Sequence, residues 1–339
     1  MENRLGLWLC IALAIASSAS ALNRNLLVSC PDDDCVIKDV LSSYPYIVSL
    51  EIDWDPAENA ELCTGTLVSE AGWILTAAHC IFNPELGGVW DDASVRAALA
   101  PDSREEDAQV VNIPYEDIFV HPNFMKREEG EDGQSNDDIA LLRFDPALVD
   151  WEDLKVVSLA AGTSEPEDYS GERVQAMGYG STGNPDLEKD DQDFRTITLR
   201  VTPCPEDLAE RQTDVICTED QYAGDVCAGD SGGPLLYPII NDGQPDFMQI
   251  GIVSQGYRSS QCIDRFSDPT AVGEDGDGIG TWNFIPYQAE WLCEVGGPGV
   301  GLCDNDSDGP PSEDYEPDDD NDSEDDDDND SEGDDSGDK

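Results

Sequence analysis

The chain has 339 residues and a formal net charge of −59 at pH 7, from 76 acidic and 17 basic side chains. So much negative charge argues against nucleic acid or an anionic membrane as a partner, because both would be repelled, and it favours cationic peptides. Adaptation to a saline surrounding explains the same charge, and composition alone does not separate the two interpretations.

Residues 1–21 have the pattern of a secretory signal peptide. Arg4 precedes an apolar stretch at residues 5–15, and small residues end the segment at Ala21. We therefore expect cleavage after Ala21 and secretion into an oxidising, extracellular environment. No later apolar run is as long as a membrane-spanning helix, so the secreted chain is expected to be soluble.

The cysteine count agrees with that environment. Eleven cysteines occur, and removal of Cys10 with the signal peptide leaves an even number, as disulfides require. A metal site is the rival interpretation, but the irregular spacings and the secretory context favour disulfides.

Short apolar runs separated by Gly, Pro and Asn follow the signal peptide, and this pattern predicts an all-β protein. Residues 286–292 are the exception, because Pro286 suits the first turn of a helix and Trp291 and Leu292 can pack inward. Four acidic stretches are expected to be surface loops, at residues 104–107, 126–138, 186–193 and 259–278.

One of the two histidines, His79, ends the apolar run of GWILTAAHC. A general base must be neutral near pH 7 and rigidly held, which suits a histidine that closes a strand beside a cysteine. Its other ring nitrogen then needs an acceptor. In SNDDIALLRF, Asp138 stands directly before an apolar run, where its carboxylate can be buried against the imidazole. His79 and Asp138 are predicted to be a base and its orienting acid.

CAGDSGGP, residues 227–234, places Ser231 among glycines. A serine hydroxyl is a poor nucleophile until a base removes its proton. Flanking glycines accept positive φ and let backbone N–H groups turn towards one point, where they can stabilise an oxyanion. A plain glycine-rich turn is the alternative, but it leaves His79 and Asp138 without a role. Ser231 is predicted to be the nucleophile of an acyl transfer.

From Asp304 onward, 20 of 36 residues are acidic and Lys339 is the single base. A segment of this composition cannot bury enough apolar surface to fold, so residues 304–339 are predicted to be a disordered acidic tail. DNDSDG, residues 304–309, is like the opening of a calcium loop, but Tyr315 stands where the loop needs Glu. Weak, diffuse binding of calcium is therefore expected instead of a structured site.

TAAHC, DIALL and GDSGGP, in this order, resemble the motifs of the chymotrypsin-like, trypsin-type serine endopeptidases. Further similar stretches between residues 44 and 292 are YPYIVSL, MGYGSTG, GIVSQGY and WNFIPYQAEWL. The resemblance implies two six-stranded antiparallel β-barrels with a C-terminal helix and an active site in the cleft between them. Residues 22–35 would be an N-terminal or pro-segment and 36–303 the protease domain. Its barrels would span about 36–160 and 161–292, with the boundary near 160–167.

The resemblance also implies a role for each site residue. Ser231 attacks the scissile carbonyl, His79 takes the proton and returns it to the leaving amine, and Asp138 orients the imidazole. The N–H groups of Gly229 and Ser231 form the oxyanion hole, and Ser254 hydrogen-bonds behind Asp138. No cofactor is required. The expected protein is a secreted serine endopeptidase that acts on protein or peptide substrates.

Specificity follows from the same resemblance. Asp225 matches the floor of the primary specificity pocket in trypsin-type members, and Gly256 and Gly280 match its walls. A carboxylate at the floor of an open pocket can pair with the Arg or Lys before the cleaved bond. Cleavage after Arg or Lys is therefore expected.

The family's disulfides imply that cysteines pair as Cys63 with Cys80, Cys204 with Cys217, and Cys227 with Cys262. The resemblance assigns no partners to Cys30, Cys35, Cys293 and Cys303. Two local links and cross-links between the two ends of the chain are both open.

The N-terminal segment departs from the family pattern, which has a basic residue followed by I-V-G-G. Here Cys35 stands at the basic position, and Lys38 and Asp39 stand where two glycines would. The family's new N-terminal amine pairs with the residue that matches Asp230, so the cationic partner of Asp230 is not implied here. His121 is expected to be structural. The second hypothesis is a catalytically idle protease-fold module whose acidic tail binds a cation or a basic partner.

Overall fold

The computed structural model describes residues 44–53, 60–82, 94–99, 108–125, 137–160, 162–180, 194–209, 212–219, 226, 228–241, 243–257, 279–300 and 303. The predicted signal peptide, residues 22–35 and the acidic tail lie outside the described residues. So do three of the four predicted acidic loops and all of the fourth except its last two residues, Asp137 and Asp138.

The first half of the described chain forms one antiparallel sheet with the strand order β5-β4-β1-β2-β3-β7-β6. Its strands are β1 (Ile47–Asp53), β2 (Glu61–Ser69), β3 (Trp73–Thr76), β4 (Ser94–Leu99), β5 (Gln109–Ile113), β6 (Ile118–Val120) and β7 (Ala140–Arg143). The two edge strands, β5 and β6, are consecutive in the chain and joined by residues 114–117. The sheet forms a half-barrel. Its edge strands β5 and β6 are connected by the chain and form no ladder with each other in the described residues.

The second half forms a closed barrel. Its strands are β8 (Ser158–Leu159), β9 (Arg173–Gly178), β10 (Arg195–Thr202), β11 (Val215–Glu219), β12 (Pro234–Asn241), β13 (Gln244–Tyr257) and β14 (Ile279–Phe284). The order β12-β9-β10-β11-β14-β13 closes through the pairing of β12 with β13. β8 adds to β13 in parallel, so the chain joins the second sheet at Ser158. The predicted all-β fold with a C-terminal helix is confirmed. The second half is a closed barrel of six strands, whereas the first half is a seven-stranded half-barrel.

The helices are short: α1 (Pro122–Met125), α2 (Glu206–Ala209) and α3 (Ala289–Gly296). The predicted C-terminal helix begins as a 3₁₀ turn, Ile285–Gln288, with Pro286 near its start, and continues as α3. Proline fits the first turn because its missing N–H would be unpaired there in any case. None of the helices in the described ranges is long and apolar enough to cross a membrane.

Helix α3 connects the two halves. It follows the last strand of the closed barrel, yet Trp291 and Leu292 belong to the same buried cluster as Leu141 of β7 in the half-barrel. Gly296 lies against Val300, where a Cβ would come 1.9 Å from the Val300 side chain, so the chain can fold back tightly after the helix. The helix thus fixes the position of β7 and of the residues just before it.

Candidate active site

Sheet register brings His79 and Asp138 together. β3 and β7 are antiparallel neighbours, with Thr76 opposite Ala140. His79 lies in the 3₁₀ turn Ala78–Cys80, one residue after the end of β3, and Asp138 lies two positions before the start of β7. Because the end of one strand and the start of its antiparallel neighbour share an edge, the two side chains meet.

Three hydrogen bonds converge on Asp138. His79 Nδ1 lies 2.7 Å from Asp138 Oδ2, and the backbone N–H of His79 donates to Oδ1 at 2.9 Å. Ser254 Oγ donates to Oδ2 at 2.6 Å. Asp138 is only 2% exposed, and a buried carboxylate is tolerated when donors compensate for the lost water. An ionised Asp138 fixes the proton on Nδ1 and leaves Nε2 of His79 as the basic nitrogen.

The pair shifts both pKa values towards its charged form. Burial lowers the pKa of His79, but the charge of Asp138 and the hydrogen bond to it outweigh burial, so the pKa is raised above 6.5. Burial raises the pKa of Asp138, but His79 and the hydrogen bond from Ser254 outweigh it, so that pKa is lowered. A histidine tuned in this way can accept a proton from a hydroxyl group.

The Ser231 loop is attached to both halves of the molecule. Ser231 O accepts a hydrogen bond from Thr64 N of β2 at 2.8 Å, and Gly232 N donates to Val253 O of β13 at 2.9 Å. Gly232 has φ +79°, and a Cβ there would lie 2.1 Å from Thr76 Oγ1 and 2.9 Å from Ala77 N. The residue after Ser231 therefore packs on the segment that leads into His79.

Backbone donors lie in the same loop. Within the described part of the chain, no hydrogen bond uses the N–H group of Gly229 or Ser231. Gly229 has φ +99°, and its carbonyl accepts from Thr64 Oγ1 at 2.9 Å. That bond turns the carbonyl of Gly229 towards β2.

The side chain of Asp230 points towards the described start of MGYGSTG, Gly178 to Gly180. Its Oδ1 accepts from the N–H of Gly180 at 2.8 Å, and a Cβ on Gly180 would lie 2.4 Å from its carboxyl carbon. Gly178 is equally close, since a Cβ there would lie 2.2 Å from Oδ1. Gly178 and Gly180 therefore leave room for the carboxylate beside the Ser231 loop.

The predicted pocket is described only in part. Gly256 of β13 pairs directly with Gly280 of β14, so the two predicted wall positions face each other across one ladder. The register shifts between Val253 and Gln255, and Ser254 lies at this irregularity, which explains how a strand residue reaches Asp138. Asp225 lies outside the described residues.

Disulfides link Cys63 to Cys80 and Cys204 to Cys217. The first joins β2 to the turn that carries His79. A third disulfide, between Cys293 and Cys303, closes a local loop after α3, one of the arrangements that the sequence left open. Cys227, Cys262, Cys30 and Cys35 lie outside the described residues.

Sequence reasoning missed a second layer of polar residues behind Asp138. The N–H of Asp137 donates to Asp214 Oδ2 at 2.6 Å, and Gln288 Nε2 donates to Asp137 Oδ1 at 2.8 Å. The partners are 77 and 151 residues apart, so no local pattern indicates them. His121 also lies here, with its ring centroid 5.0 Å from that of Trp291 and with burial lowering its pKa.

No group of His, Cys, Asp and Glu side chains within the described ranges is arranged to hold a metal ion.

A two-barrel β fold with a histidine and a buried aspartate beside a GDSGGP loop defines a trypsin-like serine protease domain. The family model "Trypsin" matches residues 38–266, and the chain belongs to this family.

Similar curated proteins are named as proteases or clotting factors. Clotting factor C of Tachypleus tridentatus is 27% identical over 206 residues, covering 57% of this chain and 19% of that protein. Melanization protease 1 of Drosophila melanogaster is 26% identical over 231 residues, covering 63% of this chain and 56% of that protein. CLIP domain-containing serine protease B4 of Anopheles gambiae is 24% identical over 279 residues, covering 75% of this chain and 73% of that protein. The chain thus spans about a fifth of the length of clotting factor C.

Proposed function

We propose that this protein is a serine endopeptidase that hydrolyses peptide bonds through Ser231, His79 and Asp138. The observation that carries the proposal is the hydrogen bond of 2.7 Å between His79 Nδ1 and the buried Asp138, next to the segment on which the Ser231 loop packs. A serine beside a base that is oriented by a carboxylate is the arrangement that nucleophilic acyl transfer needs.

The chemistry proceeds in two halves. Ser231 Oγ attacks the carbonyl carbon while His79 Nε2 takes its proton and passes it to the leaving amine, which leaves an acyl-serine. Water then attacks the acyl group by the same route, and Ser231 is regenerated. Asp138 stays ionised throughout and stabilises the imidazolium. The N–H groups of Gly229 and Ser231, which have no acceptor within the described residues, bind the oxyanion.

Covalent labelling with a fluorophosphonate tests this proposal. We expect Ser231 to be labelled, and hydrolysis of a peptide substrate to decrease in proportion to the fraction of Ser231 that is labelled. Ser231→Ala or His79→Ala should each lower kcat about 10⁴-fold or more, with little further loss in the double variant because the two residues act as a unit. An unlabelled wild-type protein would instead support an idle protease-fold module, and wild-type hydrolysis by Ser231→Ala would exclude the serine mechanism.

The substrate side chain before the cleaved bond is proposed to be Arg or Lys. Support comes from the sequence position of Asp225 and from the paired glycines Gly256 and Gly280, which place no side chain at the two wall positions. Asp225→Ser should cost at least about 3 kcal/mol of transition-state stabilisation for an Arg substrate, because a buried guanidinium loses its partner. A peptide library that disfavours Arg and Lys would overturn this specificity and leave the triad intact.

Secretion and a preference for cationic protein substrates complete the proposal. The described disulfides suit an oxidising compartment, and the net charge of −59 attracts cationic chains. Mass spectrometry of the protein recovered from culture medium would test secretion and cleavage after Ala21.

A further inference from the structure

The backbone around Asp138 is unusual. Asp137 has φ 58°, the one positive value for a residue other than glycine in the described part of the chain. Ile139 N donates to Asp137 O at 2.8 Å, which closes a three-residue turn centred on Asp138. A left-handed residue followed by such a turn persists only where its surroundings hold it in place.

Side chains from distant elements form hydrogen bonds with both the backbone N–H and the carboxylate of Asp137. Asp214, just before β11, accepts the hydrogen bond from the N–H of Asp137, at 2.6 Å. Gln288, just before α3, donates to one carboxylate oxygen at 2.8 Å, and Asn123 of α1 donates to the other at 3.0 Å. His121 Nδ1 lies 3.8 Å from that second oxygen.

Two of these partners are themselves buried. Asp214 is 7% exposed and Gln288 is 2% exposed. Gln288 also donates to Asn283 Oδ1 at 3.2 Å, which ties it to β14 of the closed barrel. Asp214 and Gln288 thus connect the closed barrel to the residue before the catalytic acid of the half-barrel.

The geometry points to Asp214 and Gln288 as positioning residues that hold Asp137 in its left-handed conformation and thereby fix the Asp138 carboxylate against His79. This inference rests on the proposed function. Neither residue reaches His79 or Ser231 directly, so both act through the peptide between Asp137 and Asp138. Loss of this support lets the Asp138 carboxylate move, and the orientation of His79 is lost with it.

Three variants separate positioning from simple stabilisation. Asp214→Ala removes the acceptor for the N–H of Asp137, whereas Asp214→Asn keeps an acceptor of the same shape. Gln288→Met keeps the side-chain volume and removes the donor. Asp145→Ala is the matched control, because Asp145 Oδ1 accepts a similar backbone hydrogen bond, from Ala147 N at 2.9 Å, in an exposed turn.

We expect Asp214→Ala and Gln288→Met to lower kcat for a small peptide substrate at least about tenfold, with KM changed less than about twofold. The apparent pKa of His79 in kcat/KM should fall in both, since Asp138 raises it. Asp214→Asn should recover most of the loss in kcat, and the control should match the wild type. Wild-type kcat in Asp214→Ala and Gln288→Met, or a loss in Asp214→Asn as large as in Asp214→Ala, would overturn the inference.

Proton NMR gives a second readout that does not depend on turnover. The far-downfield signal of the proton shared by His79 and Asp138, assigned by its loss in Asp138→Asn, should persist in Asp214→Asn and broaden or shift upfield in Gln288→Met. An unchanged signal in Gln288→Met would overturn the inference even if Asp214→Ala does not fold. A wild-type protein that shows this signal but no hydrolysis would contradict the proposed function alone.

Discussion

His79 and Asp138 stabilise each other's charged forms, although the carboxylate is almost fully buried. The compensation comes from three donors, the backbone and ring of His79 and the hydroxyl of Ser254. Each of these hydrogen bonds is broken or weakened if Asp138 moves by about 1 Å, because hydrogen bonds weaken steeply with misalignment. We therefore expect the proposed activity and its pH dependence to be sensitive to the same few contacts.

The pH profile of the protease should reflect the raised pKa of His79. Only neutral His79 can act as the base, so kcat/KM for a small substrate should fall as the pH decreases through a midpoint above the ordinary value of about 6.5. Asp138→Asn should lower that midpoint together with kcat, because the raising charge is gone. A wild-type midpoint at or below 6.5 would contradict this assignment.

Asp214 should make the fold less stable as the pH rises. Its pKa is raised from 3.8 to about 6 by burial and by the charges of Asp137 and Asp138, while the N–H of Asp137 opposes the shift. The folded protein therefore holds this proton more tightly than the unfolded chain does. The resulting penalty is absent below pH 4, grows between pH 4 and pH 6, and reaches about 3 kcal/mol at most above that range.

Urea unfolding of Ser231→Ala, with and without Asp214→Asn, measures this penalty without self-digestion. Asp214→Asn should raise the free energy of unfolding by about 2–3 kcal/mol more at pH 8 than at pH 4. Asp137 and Asp138 are acidic neighbours of Asp214, and His121 lies 3.8 Å from the carboxylate of Asp137. Ser231→Ala/His121→Gln serves as the control for titration of that histidine. A difference that does not change with pH would show that Asp214 does not titrate in this range.

At the scale of elements, the site depends on how β2, β3 and β7 are joined. The ladder between β3 and β7 aligns His79 with Asp138, and β2 carries Thr64, which anchors the Ser231 loop. The disulfide from Cys63 to Cys80 connects β2 to the His79 turn. The disulfide therefore adds a covalent link to the backbone hydrogen bonds of this short turn.

Removal of two similar disulfides should separate stability from catalysis. Cys63→Ala/Cys80→Ala and Cys204→Ala/Cys217→Ala open loops of sequence separation 17 and 13, and each should cost about 3 kcal/mol of stability. We expect a further fall in kcat only in the first pair, because only the first of these two disulfides ends in the turn that carries His79. Equal kcat in both folded variants would show that the turn is held without it.

At the scale of the whole molecule, negative charge is spread along the chain and is densest near the C-terminus. The last 36 residues carry 20 acidic side chains and one basic one. Their composition predicts a segment without a core of its own, and the helix α3 with the disulfide from Cys293 to Cys303 ends the described fold just before it. The tail is therefore expected to act through its charge.

Truncation after Cys303 tests that expectation. Unfolding free energy and kcat for a small neutral substrate should stay unchanged, whereas association with a cationic protein substrate should slow in the truncated form. The difference between the two forms should vanish at high salt, because the Debye length falls to about 3 Å at 1 M. A truncated protein that unfolds would show that the tail has a structural role.

The sequence by itself determined the fold class and pointed to the candidate site residues. The motifs TAAHC, DIALL and GDSGGP indicate the candidate histidine, aspartate and serine. Short apolar runs between turn residues predict the strands. The C-terminal helix was predictable because Pro286, Trp291 and Leu292 form a local pattern. Local backbone preference and residue chemistry are properties of a few neighbouring residues, so they can be recognised without a structure.

Only the tertiary structure decided which distant groups meet. The contacts of Asp214 and Gln288 with Asp137 join residues 77 and 151 positions apart, and the bond from Gly180 N to Asp230 spans 50. The link between Cys293 and Cys303 was one of several arrangements that the sequence allowed. Such pairings depend on how the sheets close and how α3 packs across them. That geometry is set by the summed burial of the core and is not encoded in any single stretch of sequence.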